Sequence, residues 1–335
     1  MRKFTWLFVI VLSLGLVVGC TNNDPTANGD NGTKVADDGS TTYEIAGILM
    51  QSDVEWFKHI EKGMQDAAAE FNVDLTIGNS NLEVTEEANL IDTYAAQGKD
   101  AVLVSAIDFS ASSEAIKRAQ AEDVLVVNYN TNVEEDVEEY FVGINNFDLG
   151  YQAGEYLVSY VNENLDGKAK VAMVTLSMFG IGQERADGFL EAIQNEPGIE
   201  VVAEQDASGP EEGADVTETM LQANPDIDLI WAANEGGAIG AVVGVESKGL
   251  KDKIKIFGTD MSVQSAGYLL DEDNPYYAVS TQKPYEIGYE ALKLAVEALE
   301  NESANSEVIV PLDLYTKEDL DRVQEYLDES EALME

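Results

Sequence analysis

Two α/β lobes, each a doubly wound parallel sheet, are the architecture this sequence predicts, and three observations predict it. From Tyr43 onward, short β-branched runs alternate with helix-like stretches, the pattern of a parallel sheet wrapped by helices. Several runs, AVLVSA at 101–106 and VLVV at 124–127, are apolar throughout, as strands buried on both faces are. The units are also too many for one comfortable sheet in a chain of 335 residues, a length that suits two lobes of about 100–150 residues.

Taken in order, the chain begins with a leader. Arg2 and Lys3 precede an apolar run over 4–18 that ends at Gly19-Cys20. A basic flank, an apolar stretch and a small residue form a secretory signal, and 15 apolar residues fall short of the roughly 18–20 that span a bilayer. Residues 21–42, TNNDPTANGDNGTKVADDGSTT, lack any apolar period and read as a flexible tether. Strands are expected at 45–50, 101–106, 124–127, 170–176, 198–203, 228–232, 253–258 and 276–281. Between the first two, Trp56, Phe57, Ile60, Met64, Ala67, Ala68 and Phe71 share one helical face. Further helices are expected at 149–161, 184–194, 216–223 and 284–299, with Gly249 as a helix stop. The charge runs 134–139 and 317–335 read as solvated surface, and His59, between lysines, as an exposed helical residue.

Composition narrows the function. Against 19 basic residues stand 64 acidic ones, a formal charge of −45, which repels phosphate backbones and makes nucleic acid a poor partner. Such an acidic surface suits a saline medium that screens it. Hydrophobic residues make up 45% of the chain, so it folds despite the charge. One Cys excludes an intramolecular disulfide and a cysteine-based zinc finger, and one His argues against a Ser-His-Asp triad and a multi-histidine metal site. No spacing calls for a metal or another cofactor.

In a doubly wound fold ligands meet the carboxyl ends of the strands, and four polar residues stand there. Asn130 follows VLVVNY, Asn234 follows DLIWAA, Asp260 follows KIKIFGT and Gln282 follows YAVST. Each alone reads equally as a turn former or helix cap; their convergence on one rim is the signal. Arg185 adds a fixed fork of donors, with a surface ion pair to Glu184 or Asp187 as its plainer reading. Trp56 and Phe57 head a helix, either as core or as an aromatic platform, and Trp56 and Trp231 are both expected near the cleft. One carboxylate, one guanidinium, amides and aromatic faces suit a ligand with many hydroxyls and an apolar CH face. No activated nucleophile is present. The Gly-rich run 234–240 follows a strand like a dinucleotide fingerprint, with Asp260 at a suitable distance, but Glu235 stands where the motif needs glycine. No spacing singles out the carboxylate pair of a glycosidase.

Several segments resemble the sugar-binding periplasmic proteins of the ribose-binding type. They are GILMQSDVEWFKHIEKGMQDAAAEF, FVGINNFDLGYQAGEYL (against G-x-D-N-x-x-x-G-x-x-A-G), ERADGFLEAI, IWAANEGGAIGAVVGVESKG, IFGTDMS and YAVSTQKPYEIGYEAL. They run in family order over about residues 43–315. Lactose-repressor-like regulators share the fold but carry a helix-turn-helix where this chain has its leader.

The resemblance implies two lobes joined by three hinge strands that close over a ligand and deliver it to an ABC-type importer. It implies that Arg185, Asn234, Asp260 and Gln282 bond sugar hydroxyls, and that Trp56 and Phe57 sandwich the ring. Tyr129-Asn130 stand where the family often has an acid or Asp-Arg, and Met50, Val54 and Asn145 also depart from its pattern. These departures speak against ribose and leave a polyhydroxylated small molecule. Val17-Val18-Gly19-Cys20 is similar to a lipoprotein box, which makes Cys20 the lipidated N-terminus.

The expectation is therefore a monomeric, lipid-anchored, extracytoplasmic solute-binding protein for a monosaccharide or similar polyol, outside the bacterial cell membrane. Its divisions are a signal peptide (1–19), a lipidated Cys with tether (20–42), an N-terminal lobe (43–144 plus 283–310), and a C-terminal lobe with tail (145–282 plus 311–335). Alternatives are a receptor that presents ligand to a membrane sensor kinase, the same fold binding a non-sugar molecule, and an extracytoplasmic enzyme.

Overall fold

The computed structural model describes residues 34–35, 41–134, 136–300 and 304–334. The signal, Cys20 and most of the tether lie outside the described residues. A two-residue antiparallel pair, β1 (Lys34–Val35) and β2 (Thr41–Thr42), precedes the first lobe.

The first lobe is built from β3 (Glu44–Leu49), α1 (Glu55–Phe71), β4 (Asp74–Asn79), α2 (Val84–Ala96), β5 (Ala101–Val104), α3 (Phe109–Gln120), β6 (Leu125–Tyr129) and β7 (Tyr140–Gly143). The second contains α4 (Asn146–Asn164), β8 (Ala169–Thr175), α5 (Gly180–Ile193), β9 (Ile199–Asp206), α6 (Pro210–Ala223), β10 (Leu229–Ala232), α7 (Glu235–Ser247), β11 (Lys255–Thr259), α8 (Val263–Leu270) and β12 (Tyr276–Thr281). The chain then returns to the first lobe for α9 (Pro284–Glu300) and β13 (Glu307–Ile309), and crosses again for β14 (Asp313–Thr316) and α10 (Leu320–Met334). The three crossings thus lie after β7, after β12 and between β13 and β14.

Each lobe holds a six-stranded sheet, in the orders β13-β7-β6-β5-β3-β4 and β14-β12-β11-β10-β8-β9. All pairings are parallel except β12 with β14, where Thr281 faces Asp313. The apolar runs are buried on both faces, with a period of two. Ile45, Leu49, Ala101 and Leu103 point to the α1 and α9 side, while Ala46, Ile48, Val102 and Val104 point to the α2 and α3 side. Helices α1 and α9 meet backbone to backbone: a Cβ on Gly63 would lie 2.0 Å from the Tyr285 carbonyl oxygen.

Four expectations change. Strand β4 carries Leu75 and Ile77 on one side only, and its weak alternation hid it. His59 is not exposed: it is 8% accessible and stacks on Tyr326, with ring centroids 6.2 Å apart. The run 317–335 is largely helix α10, whose Val323 and Tyr326 pack into the second lobe. In the run 134–139, Val137 is buried and the Glu138 carboxylate accepts the Val133 N–H at 2.9 Å.

Candidate functional site

Asn130 and Asp260 occupy matching places in the two lobes. Each directly follows the third strand of its sheet, β6 or β11. Each adopts the left-handed conformation, with φ of 66° and 67°, which Asn and Asp tolerate better than most residues. Each N–H donates to the next strand, Asn130 to Val142 O at 2.9 Å and Asp260 to Ser280 O at 3.0 Å. The same turn therefore lifts one polar side chain above each sheet.

Around Asp260 the structure assembles a connected polar chain. Arg185, 3% exposed on α5, donates through Nη1 to Asp260 Oδ2 at 2.7 Å and to Ala233 O at 3.0 Å. Its Nε donates to Asn146 Oδ1 at 3.0 Å. Gln282, 8% exposed at the second crossing, donates Nε2 to Asp260 Oδ1 at 3.0 Å. Its Oε1 is buried with no donor among the described residues. Arg185 is thus not paired with Glu184 or Asp187. Its placement depends on glycine: α4 and α5 pack so closely that a Cβ on Gly150 would lie 1.8 Å from the Arg185 carbonyl oxygen.

The other sequence-predicted residues make no hydrogen bond to this polar chain among the described residues and have partners of their own. Asn234 caps α7, accepting the Gly237 N–H at 3.1 Å and donating to Ser208 O at 2.8 Å. Asn130 donates to Ser105 Oγ at 3.3 Å. Trp56 is half-buried and stands edge-on to Phe57, centroids 4.9 Å apart, with its indole N–H lacking an acceptor among the described residues. Phe57 packs in the core of the first lobe. Trp231 lies away from the cleft surface, fully buried and stacked on Phe189 at 4.4 Å.

Sequence reasoning missed four residues. Asn146, the second Asn of the motif GINN, holds Arg185, while Asn145 caps α4 by accepting the Asp148 N–H at 3.2 Å. Glu55, the first residue of α1, reaches the other lobe and accepts the Val263 N–H of α8 at 3.0 Å. Tyr326 Oη lies 3.4 Å from that carboxylate and donates to Met261 O at 3.1 Å. Glu235 is the first residue of α7 and is half-buried. Burial pushes its carboxyl upward, the nearby charges of Asp260 and Glu55 push further, and the Ser262 hydroxyl pulls back. Glu55 is also raised by burial, against the lowering pull of Val263, Tyr326 and Lys58. The signal for both acids was position, at helix starts beside residues already singled out.

A cavity of about 540 Å³ opens beside the crossings, between α1 and α10, lined by His59, Tyr326, Lys283 and Gln282. Of the sequence-predicted ligands only Gln282 borders it. Among the described residues no group of His, Cys, Asp or Glu is placed to hold a metal ion, and none of their helices is long and apolar enough to cross a membrane. The arrangement offers fixed donors, acceptors and an aromatic face, which is the chemistry of recognition.

Residues 45–303 match the family model described as a periplasmic binding protein domain. The ABC transporter periplasmic-binding protein YphF of Escherichia coli is 27% identical over 271 residues, 78% of this chain and 82% of that protein. The ribose import binding protein RbsB of Bacillus subtilis is 26% identical, over 92% of this chain and 97% of its own length. A periplasmic solute-binding protein of an ABC transporter from Actinobacillus succinogenes, solved with bound D-allose, superposes with a TM-score of 0.76 at 25% identity. That match covers 84% of this chain and 99% of the other.

Proposed function

The chain belongs to the periplasmic binding protein family, and from that premise we propose that it captures a monosaccharide or similar polyol outside the cell membrane and hands it to an ABC-type importer. It is a solute-binding protein rather than an enzyme, and its place is extracytoplasmic. The observation that carries the ligand reading is the Arg185–Asp260–Gln282 chain, which joins α5, the end of β11 and a crossing between the lobes. Such oriented donors and acceptors pair with vicinal hydroxyls. Asn234 and Asn130 extend the polar rim, and Trp56, supported edge-on by Phe57, supplies the apolar face for a sugar ring.

Function follows from closure. A ligand that touches both lobes stabilises the closed state by its differential contacts. Glu55 on the Val263 N–H is a contact of that closed kind, since it joins α1 of one lobe to α8 of the other. The leader and Cys20 support anchoring by lipid, where two or more acyl chains hold a protein stably and one does not. The capture unit itself acts as a monomer.

The test is tryptophan emission of the leader-free chain carrying Cys20→Ser, titrated with pentoses, hexoses and polyols. Trp56 is the reporter, since Trp231 is sealed in the second lobe. A saturable change with micromolar or tighter affinity for one compound is expected; no response to any of them, from folded protein, refutes the polyol reading. Detergent-phase partition of the wild-type chain, lost in Cys20→Ser, tests the anchor.

A further inference from the structure

The cavity of about 540 Å³ between α1 and α10 is distinct from the polar cleft. Of the residues assigned to the sugar, Gln282 alone reaches its wall, while Arg185, Asp260, Asn234, Asn130 and Trp56 do not. Its walls come from α1, the second crossing with the start of α9, β14 and α10. Its size falls within the roughly 300–1,000 Å³ of small-molecule sites.

Three side chains on those walls are more than nine-tenths buried, and each leaves a polar atom without a partner among the described residues. They are His59 at Nε2, Gln282 at Oε1 and Ser330 at Oγ, with exposures of 8%, 8% and 0%. They belong to α1, to the second crossing and to α10, so no single local turn explains them. Ser330 stands by the Tyr326 hydroxyl, but that hydroxyl donates to Met261 O at 3.1 Å. Buried polar atoms without partners are rare and costly, and here three of them border one cavity.

The walls select the chemistry of an occupant. Gln282 Oε1 needs a donor, whereas a serine hydroxyl and a neutral imidazole each take part in either sense. Burial holds His59 toward its neutral form. A hydroxyl both donates and accepts, so it answers all three. A charged group finds no free partner: Lys62 is engaged by Asp66, Lys283 by Glu286 and Asp313, and Glu329 is exposed to water. Tyr285, Tyr315 and Leu333 complete the lining, and aromatic walls suit a flat apolar ring.

We propose that this cavity is a second binding site, separate from the sugar cleft, for a small uncharged phenol or aromatic alcohol. His59 is the one histidine of the chain, so its imidazole resonances in leader-free, tag-free protein report the site directly. Titration with phenol and with benzyl alcohol should shift those resonances saturably, in the millimolar range or tighter. Anisole, which has no donor, and benzoate and benzylamine, which are charged, should bind at least threefold more weakly. Ser330→Ala removes one hydroxyl partner and should weaken phenol at least threefold. Leu333→Trp fills the cavity from α10 and should abolish the response; either variant decides if the other fails to fold. The shift should persist when the cleft is saturated with whichever sugar or polyol binds there. Four results overturn the proposal: no shift with either hydroxyl compound, anisole or a charged ring binding as tightly as phenol, a response unmoved in the folded variants, or displacement by the sugar. Polyol capture is read separately, in the Trp56 titration, so the two readings fail independently.

Discussion

Replacing Asp260 by Asn tests whether the Arg185–Asp260 pair organises the second lobe. Asn keeps the shape and tolerates the left-handed φ of 67°, so backbone strain does not enter. Removing one member of a fully buried ion pair costs about 3–5 kcal/mol. Here Asp260 retains 19% side-chain exposure, and Arg185 keeps Asn146 and Ala233 as acceptors. The expected loss is therefore about 2 kcal/mol, within the ~1.5–3 kcal/mol of a hydrogen bond to a charged group. Arg185→Met should cost more, because it also strands the Ala233 carbonyl and the Asn146 amide.

The assay is urea unfolding followed through Trp231 in a leader-free Trp56→Phe background. Trp231 is 0% exposed against Phe189 in the second lobe, so its emission reports that lobe. With a denaturant slope of ~2–3 kcal/mol/M, the midpoint for Asp260→Asn falls by roughly 0.7–1 M. The cycle formed with Arg185→Met and the double variant should return a coupling of about 1.5–3 kcal/mol. A coupling under about 0.5 kcal/mol, within the usual error of additive sites, would refute the claim that the pair holds the site.

Other substitutions probe the scaffold around it. Gly150→Ala places a Cβ 1.8 Å from the Arg185 carbonyl oxygen, so α5 must move; ligand affinity, read by calorimetry, should drop at least tenfold while far-ultraviolet dichroism stays near wild type. Glu87→Ala strips the acceptor from the Ile107 N–H and the Ser112 hydroxyl, and should cost ~2–3 kcal/mol in urea unfolding at pH 7. Burial lowers the pKa of His59, so the unfolded chain takes up a proton near pH 6.5 while the folded one resists. The stability of wild type relative to His59→Leu should hold above pH ~6.5 and decline as pH falls through the lowered folded value; a pH-independent difference contradicts this.

Much of the fold was legible because both sheets are buried on both faces. An uninterrupted apolar strand such as AVLV announces itself, whereas the edge strand β4 and the short returns β13 and β14 lack that signal. The polar residues after strands were visible for a backbone reason: Asn130 and Asp260 sit in left-handed turns that favour their side chains. Glu55 was not visible as a contact to the other lobe. It meets the Val263 N–H only through tertiary packing, and an acid at a helix start has an ordinary local explanation. His59 misled for the same reason. Its neighbours in sequence are charged, but α10, arriving from the far end of the chain, covers it with Tyr326.

The two lobes share a backbone device and differ in what it presents, and that difference concentrates charge at one place. At the third strand of one sheet the turn carries a neutral amide, Asn130, bonded to Ser105. At the matching strand of the other it carries Asp260, which binds the one buried guanidinium of the site. Through Glu55 the first lobe adds a carboxylate that accepts the Val263 N–H of the second. Because that bond joins the lobes, it favours the closed state over an open one. An uncharged sugar would have to close the lobes through hydroxyl bonds and ring burial alone. Such contacts, made to both lobes at once, differ between open and closed states, and that difference is what couples binding to closure.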